Sequence, residues 1–280
     1  MPDVVITSPA NPRLREVVSL RRRRIRDTRR LTLVEGYEEV TLALDAGAAP
    51  EELYWCPELF DADADAQALT ARVRNGGGRC VRLGRAAFDK IAYREGPDGV
   101  LAVVPTADRS LSDLDALLED PRAGHCRPHA PLVLLCQGVE KPGNLGAMLR
   151  TADAAGVTAV LAADPVTDWG NPNLVRASKG TVFSVPVAAD TASACAAWLS
   201  HRGIALVALT PAGARSYVDI DYTGPVALAV GAEKAGLTDD ILAATALRAV
   251  IPMAGHADSL NVAASAAIVL YEAVRQRRMS

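Results

Sequence analysis

The chain has 280 residues, of which 50% are hydrophobic and 22% are charged, so its composition excludes an intrinsically disordered protein and predicts two globular domains. No apolar run approaches the roughly 18 residues of a membrane-spanning helix, and the amino terminus lacks the basic-then-apolar order of a secretory signal, so we expect a cytoplasmic protein. A net charge of −3 would ordinarily argue against a nucleic-acid partner. The charge is unevenly distributed, however, so the net value does not exclude one.

Positive charge is concentrated near the amino terminus. Residues 13–30 contain nine arginines against two acidic residues, Glu16 and Asp27, which gives the segment a net charge of +7. Such a local field suits phosphate groups, whereas a solvated helix face or a disordered arm are the alternatives that the sequence leaves open. The residues expected to bind phosphates are Arg21, Arg22, Arg23, Arg24, Arg26, Arg29 and Arg30.

The first hundred residues predict one alternating α/β unit. The patterns predict a helix over 35–46, a strand that begins near Leu53, a helix over 66–74, and strands over 79–84 and 99–105. After residue 105 the sequence becomes polar and proline-bearing. We therefore predict an amino-terminal domain over 1–106, a linker over 107–130 and a second domain over 131–280.

The second domain contains six nearly continuous apolar runs, as expected of strands that are covered on both faces. The runs are PLVLLCQGV, VTAVLAA, VFSVPVA, IALVALT, PVALAVGAE and RAVIPMA. They predict a central parallel sheet, followed by a last helix over 259–278. The five cysteines of the chain show no CxxC spacing, so we expect buried thiols and neither a disulfide framework nor a metal site.

Ligands of parallel sheets bind at the carboxyl ends of the strands, so the loops after the apolar runs are the candidate sites. The first loop, over 137–151, carries Asn144 and Arg150. Asn144 is placed to cap the helix that follows, a role that requires no ligand. Arg150 has no obvious partner in the sequence, which leaves a ligand-binding role and a surface position both open.

The second loop, over 230–237, carries Glu233 and two glycines five residues apart, Gly231 and Gly236. A P-loop needs Lys and then Ser or Thr directly after its second glycine, and Leu237 stands there instead. A nucleoside-triphosphate site of that type is therefore excluded.

The third loop, over 251–262, runs from the end of a strand to the last helix. We expect Ser259 or its neighbour Asp258 to cap that helix. A cap accounts for one polar residue but leaves Ser259 and Asn261, on either side of Leu260, without a joint explanation.

In this order, N-x5-R, G-x-E-x-x-G-L, and I-P-M followed by S-L-N resemble the three signature motifs of the SpoU or TrmH family of RNA 2′-O-methyltransferases, in the SPOUT superfamily. The resemblance covers roughly residues 131–275, and the ordered triplet is far more specific than any single motif. ITSPANPRLREVVSLRRRR, LVEGYEEV and GVLAVV extend it to the family's substrate-binding domain.

The resemblance implies an α/β fold, with a carboxy-terminal SPOUT domain that contains a parallel sheet and a deep trefoil knot, joined to a smaller L30e-like RNA-binding domain. It also implies S-adenosylmethionine as cofactor, a homodimer with the active site at the interface, and structured RNA, 23S rRNA above all, as partner. A tRNA substrate, or an inactive RNA-binding or ribosome-assembly factor, are the alternatives. A housekeeping and an antibiotic-resistance role are both left open.

The resemblance further assigns roles to residues. The implied catalytic residues are Arg150, Asn144, Glu233, Ser259 and Asn261. The implied cofactor-binding residues, which act largely through their main chain, are Leu209, Thr210, Gly231, Ala232, Gly236, Ile251, Met253, Ser259 and Leu260. Because free guanidine is scarce at neutral pH, we expect Arg150 to hold a phosphate and leave the group that removes the proton open.

Three positions depart from the family pattern. Lys141 stands where aspartate is common, and Ala232 and Ala263 stand where serine is common. Lys141 adds positive charge beside the expected RNA path, whereas Ala232 removes a hydroxyl from the second motif. No implied catalytic residue is replaced.

Overall fold

The computed structural model describes residues 4–60, 63–119 and 130–279. Up to residue 105 the elements are β1 (Val4–Ile6), α1 (Pro12–Ser19), α2 (Arg23–Arg29), β2 (Leu31–Glu35), α3 (Tyr37–Asp45), β3 (Glu52–Trp55), α4 (Asp63–Asn75), β4 (Arg79–Leu83), α5 (Arg85–Ile91) and β5 (Val100–Pro105). They are followed by β6 (Asp108–Arg109), α6 (Leu111–Glu119), β7 (Leu132–Gln137), α7 (Pro142–Ala155), β8 (Ala159–Ala163), α8 (Pro172–Ala177), β9 (Val187–Asp190), α9 (Ala192–His201), β10 (Ala205–Leu209), β11 (Arg215–Ser216), a 3-10 turn (Tyr217–Asp219), β12 (Val226–Val230), α10 (Asp239–Ala244), β13 (Leu247–Val250) and α11 (Val262–Met279).

The chain forms two compact units. The amino-terminal unit comprises Met1–Ala107 and Trp169–Ser184, and the carboxy-terminal unit comprises Asp108–Asp168 and Val185–Ser280. The second stretch of the amino-terminal unit differs from the expected boundaries, because α8 packs on β2 and the Thr32 hydroxyl donates to the Gly170 carbonyl oxygen at 2.5 Å. The strand expected from VFSVPVA is accordingly wrong over 182–186, and only its last two residues are in β9, which begins at Val187.

The expected linker also differs from the structure where the structure describes it. Strand β6 pairs in parallel with β9, and Leu114 of α6 is buried in the core of the carboxy-terminal unit. Residues 108–119 are therefore part of that unit, because the apolar side of α6 needs a covered position. The rest of the expected linker, over 120–129, lies outside the described residues.

The amino-terminal unit contains a five-stranded sheet in the order β1-β4-β3-β5-β2. Strands β1, β4 and β3 pair in parallel, whereas β5 is antiparallel to both β3 and β2. Its core joins one face of the sheet to α1 and α5, with Leu14, Tyr54 and Phe88 fully buried. The predicted α/β character of this part is confirmed.

The carboxy-terminal unit contains an eight-stranded sheet in the order β11-β13-β10-β12-β7-β8-β9-β6, and every ladder in it is parallel. Val133 and Leu135 of β7 pack in the cluster that contains α9, whereas Cys136 points to the other face and contacts Met148 of α7. The prediction of a parallel sheet covered on both faces is thus confirmed. Helix α11 packs on α7 and β12.

Four of the five cysteines are described, and all four are buried free thiols: Cys56, Cys80, Cys136 and Cys195. Burial raises the pKa of the Cys136 thiol to about 12, which keeps it neutral. Cys126 lies outside the described residues. Within the described ranges, no cluster of three or more His, Cys, Asp or Glu side chains is arranged to hold a metal ion. Among the described helices, none has the length and apolarity that crossing a membrane requires.

Arg277 fixes the end of the last helix. Its side chain is 6% exposed and donates to the carbonyl oxygens of Tyr222 at 2.7 Å, Gly224 at 2.6 Å and Pro131 at 3.2 Å, and also to that of Ala130. Burial lowers the pKa of this guanidinium. Because Pro131 precedes β7 and Gly224 lies just before β12, the last turn of α11 is held against the amino ends of two central strands.

Gly231 lies so close to Gly236 and Leu237 that a methyl group at this position should destabilise the fold. A Cβ there would lie 2.2 Å from the Gly236 carbonyl carbon and 2.4 Å from the Leu237 nitrogen, whereas a Cβ at Gly143 would meet nothing within 4 Å. We expect Gly231→Ala to lower the free energy of unfolding by about 1–3 kcal/mol through overpacking. The control Gly143→Ala, in α7, should raise it by about 0.5–1 kcal/mol. Urea unfolding measures both; equal effects would contradict the close packing.

Candidate functional site

Four neighbouring strands bring the candidate loops to one edge of the larger sheet. The order β13-β10-β12-β7 is continuous, and all three ladders are parallel. The loops that follow these strands begin at residues 251, 210, 231 and 138, so all of them start at the carboxyl edge. This is the edge at which ligands of parallel sheets bind.

A hydrogen-bonded network joins the three motif loops at this edge. The Asn144 side-chain amide donates to Oε1 of Glu233 in a short contact, and Asn261 Nδ2 donates to Asn144 Oδ1 at 3.2 Å. The other oxygen of Glu233 is 3.0 Å from Lys141 Nζ. The structure thus brings together three of the five predicted catalytic residues and adds Lys141, which sequence reasoning noted only as a departure from the family pattern.

The two caps expected from the sequence are both wrong. Helix α7 begins at Pro142 with Lys141 at its N-cap, so Asn144 lies inside the first turn, where its side chain is available to Glu233. At the last helix, Asn261 rather than Ser259 serves as the cap, because its Oδ1 accepts from the Ala263 amide at 3.0 Å. Asn261 therefore fixes the start of α11 and contacts Asn144 with the same side chain.

Ser259 and Arg150 lie outside this network. Arg150 is exposed on α7, and its side chain makes no hydrogen bond or ion pair within the described part of the chain. Ser259 is also exposed and has no hydrogen-bond partner among the described residues. Both side chains therefore remain available to a ligand, and no contact yet orders either of them.

The loop after β13 is suited to a ligand that is recognised by main-chain groups. Across the residues that the structure describes, the N–H groups of 253–260 and the C=O groups of 252–260 have no hydrogen-bond partner. Met253 is 36% exposed and Leu260 is 39% exposed, so unpaired polar main chain lies beside uncovered apolar side chains. A molecule with both polar and apolar parts, such as S-adenosylmethionine, fits this combination.

The neighbouring loops at this edge are more tightly closed. The Thr210 amide donates to the Ala249 carbonyl oxygen at 3.0 Å, and the Gly236 amide donates to the Ala232 carbonyl oxygen at 2.8 Å. Leu209 is half-buried at the end of β10, and Gly231 follows β12 directly. The predicted cofactor-binding residues thus follow three adjacent strands, although their contacts with a cofactor remain a prediction.

Sequence reasoning missed Gln137, the last residue of β7. Its side chain is 2% exposed and bonds to Thr238 and Asp164. A polar residue at the end of an otherwise apolar strand was the available signal.

The arginine-rich segment of the amino-terminal unit divides into structural and exposed side chains. Arg26 is 2% exposed and donates to the carbonyl oxygens of Leu20 at 3.0 Å and Arg21 at 2.8 Å. The prediction that Arg26 contacts RNA is therefore corrected, because its guanidinium is buried against main-chain acceptors. Arg22 and Arg24 are exposed and form no ion pair within the described ranges.

The remaining predicted arginines make contacts within the unit while staying exposed. Arg21 donates to the Ile91 carbonyl oxygen at 2.9 Å and the Ala92 carbonyl oxygen at 2.8 Å. Two others form surface ion pairs of 3.6 Å: Arg23 with Asp27 and Arg29 with Glu16. Arg30 adopts a left-handed conformation, with φ of 55°, at the end of α2. Their predicted contacts with RNA stay a prediction.

Two family models match the chain. The model described as the SpoU rRNA Methylase family matches residues 131–271, and the model described as an MRM3-like substrate binding domain matches residues 11–102. A curated relative, the 23S rRNA (guanosine-2′-O-)-methyltransferase RlmB of a Burkholderia species, is 34% identical over 251 residues, which cover 89% of this chain and 98% of the relative.

Solved structures are similar over nearly the whole chain. An AdoMet-bound rRNA methyltransferase from Sinorhizobium meliloti is 30% identical with a TM-score of 0.85, covering 97% of each chain. A structure described as an RNA 2′-O ribose methyltransferase is 38% identical with a TM-score of 0.79, covering 98% of this chain and 100% of its own.

The division of the arginines predicts two separable effects. The double substitution of Arg22 and Arg24 by Ala should weaken RNA binding and reduce the slope of log affinity against log salt by about 2, with unchanged stability. Arg26→Ala should instead lower the free energy of unfolding by about 1–3 kcal/mol, because it removes a buried side chain and its bonds to one buried and one partly buried carbonyl oxygen. Filter binding at several salt concentrations and thermal unfolding measure the two effects. The same salt slope in all variants would count against this assignment.

Proposed function

This chain belongs to the SpoU rRNA methylase family, and from that premise we propose that it transfers a methyl group from S-adenosylmethionine to the ribose 2′-hydroxyl of a nucleotide in 23S rRNA. The family resemblance of the three ordered motifs is thereby confirmed. The substrate assignment is supported by the Burkholderia relative, which is named as a 23S rRNA (guanosine-2′-O-)-methyltransferase and matches almost end to end. Such a substrate implies that the protein acts in the cytoplasm.

The observation that carries the proposal is the network of Asn144, Glu233 and Asn261. Asn144 and Asn261 are 117 residues apart in the chain and contact each other across the carboxyl edge of the sheet. One residue from each motif loop takes part, and the network lies beside the loop whose main-chain groups are unpaired. A fold that had kept the sheet but lost the chemistry would have no need to preserve this joint arrangement.

The reaction is a substitution at carbon. When bound, S-adenosylmethionine supplies a methyl group on a positively charged sulfur, which leaves as the neutral thioether. The 2′-oxygen forms the new bond to the methyl carbon while the sulfur–carbon bond breaks, and the hydroxyl proton passes to an acceptor at the site. The demands on the protein are therefore alignment of the oxygen and removal of one proton.

The positions of several side chains suit them to align the ribose oxygen. Arg150 is exposed and without a side-chain partner in the described chain, so its guanidinium can hold a phosphate beside the target ribose in a bidentate manner. The carboxylate of Glu233 orients Asn144, and Asn144 in turn orients Asn261. Main-chain groups of 252–260 would hold the cofactor, together with Leu209, Thr210 and Gly231.

We also propose the knot and the dimer that the family resemblance implies. The contacts that Arg277 makes with Tyr222 and Gly224 place the last helix against the segment between β11 and β12, as a threaded chain end requires. Tyr271 is 50% exposed on α11 and lies two turns after the exposed Ala264 on the same side of the helix, so apolar side chains on this side are uncovered. A second copy of the chain that covers this side would complete the active site at a homodimer interface.

The proposed activity is tested by mapping. Purified protein is incubated with unmodified 23S rRNA and S-adenosylmethionine, and ribose methylation is located by primer extension at low nucleotide concentration. We expect one cofactor-dependent stop in 23S rRNA. A stop in tRNA alone would support the tRNA alternative, and failure to bind S-adenosylmethionine in calorimetry would support an inactive RNA-binding factor.

Arg150→Ala tests the role of the exposed guanidinium. We expect methylation to be lost by at least about a hundredfold, since the ribose is no longer aligned, while affinity for S-adenosylmethionine stays within about twofold of the parent protein. Single-turnover rates and calorimetry give the two values, with Arg202→Ala as a control at an arginine elsewhere in the same unit. Turnover equal to that of the parent protein would refute the assignment.

A further inference from the structure

We propose that Gln137 is a positioning residue for this reaction: it fixes the far end of the loop that carries Gly231 and Glu233 by binding Thr238. The inference rests on the proposed function, because it names how the methyltransferase site is held. It concerns a residue outside the three motifs that pointed to that function.

The Gln137 side chain is fully engaged at the end of β7. It is 2% exposed, its Nε2 donates to Thr238 Oγ1 at 2.8 Å and to Asp164 Oδ2 at 3.1 Å, and its Oε1 accepts from the Thr238 amide at 3.0 Å. Both protons of the amide nitrogen are thereby assigned, and the amide oxygen has a partner. Among uncharged side chains only asparagine carries the same amide, and its side chain is one methylene shorter.

The Thr238 side chain bonds to Gln137 and does not cap its own helix. It occupies the N-cap position of α10, where a threonine hydroxyl usually accepts from an amide in the first turn. Here the side chain makes no such cap bond, and its hydroxyl accepts from Gln137 instead. The position of Thr238 is therefore set by β7 rather than by its own helix.

Asp164 fixes the other side of Gln137. It follows β8 in a left-handed conformation, with φ of 49°, which is uncommon for a residue other than glycine. Its Oδ1 accepts from the Ala192 amide at 3.0 Å, and its own amide donates to the Asp190 carbonyl oxygen at 2.9 Å. Gln137 is thus bonded to a carboxylate that is itself held by the start of α9 and the end of β9.

The loop over 231–237 is held at the end before α10 by this contact and by Leu237, which packs against the core of the unit. Residues 233–236 are exposed, and the loop's own hydrogen bond, from the Gly236 amide to the Ala232 carbonyl oxygen, closes the loop on itself. One end of the loop is fixed by β12 and the other by Thr238. Loss of Gln137 should therefore free the end of the loop that leads into α10 and, through the loop, loosen the contacts of Glu233 with the network of Asn144 and Asn261.

Two substitutions at Gln137 and one control test the proposal in the full-length protein. Gln137→Met keeps the length of the side chain but removes all three hydrogen bonds. Gln137→Glu keeps the acceptor for the Thr238 amide but replaces the donor with a carboxyl that faces Asp164. Val133→Ala, at the other end of β7, creates a cavity in the core without touching the loops and controls for loss of stability alone.

We expect Gln137→Met to increase hydrogen exchange at the Thr238 amide by about tenfold or more, as the loss of its hydrogen bond predicts. Affinity for S-adenosylmethionine and the single-turnover rate should fall by about tenfold each, beyond any change seen in Val133→Ala at matched stability. If Gln137 served stability alone, both variants would have lower unfolding temperatures. Hydrogen exchange at the Thr238 amide would then rise only as much as each loss of stability predicts.

Gln137→Glu should make the affinity for S-adenosylmethionine depend on pH. The titratable side chain that Gln137 contacts is Asp164, and two carboxyls about 3 Å apart share one proton, so the introduced group has a raised pKa. Its favourable contact is complete below that raised pKa and is lost as the pH rises through it. Relative to the parent protein, affinity for the cofactor should therefore fall between about pH 5 and pH 8, with a matching rise in exchange at Thr238.

Several outcomes decide whether Gln137 positions the loop. A Gln137→Met variant with parent-like exchange at Thr238 and parent-like cofactor affinity would overturn the proposal, as would a Gln137→Glu variant whose pH profile follows that of the parent. If Gln137→Met fails to fold, the pH profile of Gln137→Glu decides alone. If the parent protein binds no S-adenosylmethionine, the proposed function fails, while exchange at Thr238 still reports whether Gln137 holds the loop.

Discussion

Four adjacent parallel strands end at one edge of the larger sheet, and the ladders between them hold their carboxyl ends in register. Ladder pairs such as Val230 with Cys136, and Leu209 with Ala249, set where each following loop begins. Since side chains alternate between faces, a slip of one residue in any ladder would turn its loop away from the others. The contact between Asn144 and Asn261 depends on this register more than on any feature of the two loops themselves. The fixed end of α11, held through Arg277, keeps the third loop at the same place.

The polar groups at this edge form an exposed layer and a buried layer, which contribute differently to stability. The ion pair of Lys141 and Glu233 is solvent-exposed, with 70% and 29% of the side chains accessible, so it contributes little to stability. Gln137 lies beneath, almost fully buried, where an unmade hydrogen bond costs far more. Rigidity is therefore built into the buried layer, and the exposed layer stays free to exchange partners when RNA and cofactor bind. Such an arrangement orients reacting groups without filling the site.

The sequence was most informative where one physical signal dominated. Continuous apolar runs predicted the parallel strands, and the ordered motifs predicted the family, because burial on both faces and strand-end chemistry leave direct traces in composition. The predictions failed where tertiary contacts decide. Only the packing on β2 shows that Trp169–Ser184 belongs to the amino-terminal unit, and only burial shows that Arg26 is structural. The partners of Asn144 are 89 and 117 residues away, so strand order had to be known before that contact could be inferred.

Lys141 changes the electrostatics of the site in a direction that suits its proposed substrate. With lysine at this position, Lys141, Glu233 and Arg150 carry a net charge of +1, whereas the aspartate common in the family would give −1. An RNA phosphate that approaches this site therefore meets one carboxylate beside an ammonium group instead of two carboxylates. Because the ammonium is largely exposed and screened by salt, its effect falls on the rate of association rather than on the chemical step. The departure from the family pattern is thus compatible with catalysis by the remaining motif residues, since it strengthens attraction to the substrate and leaves the Asn144–Glu233 contact in place.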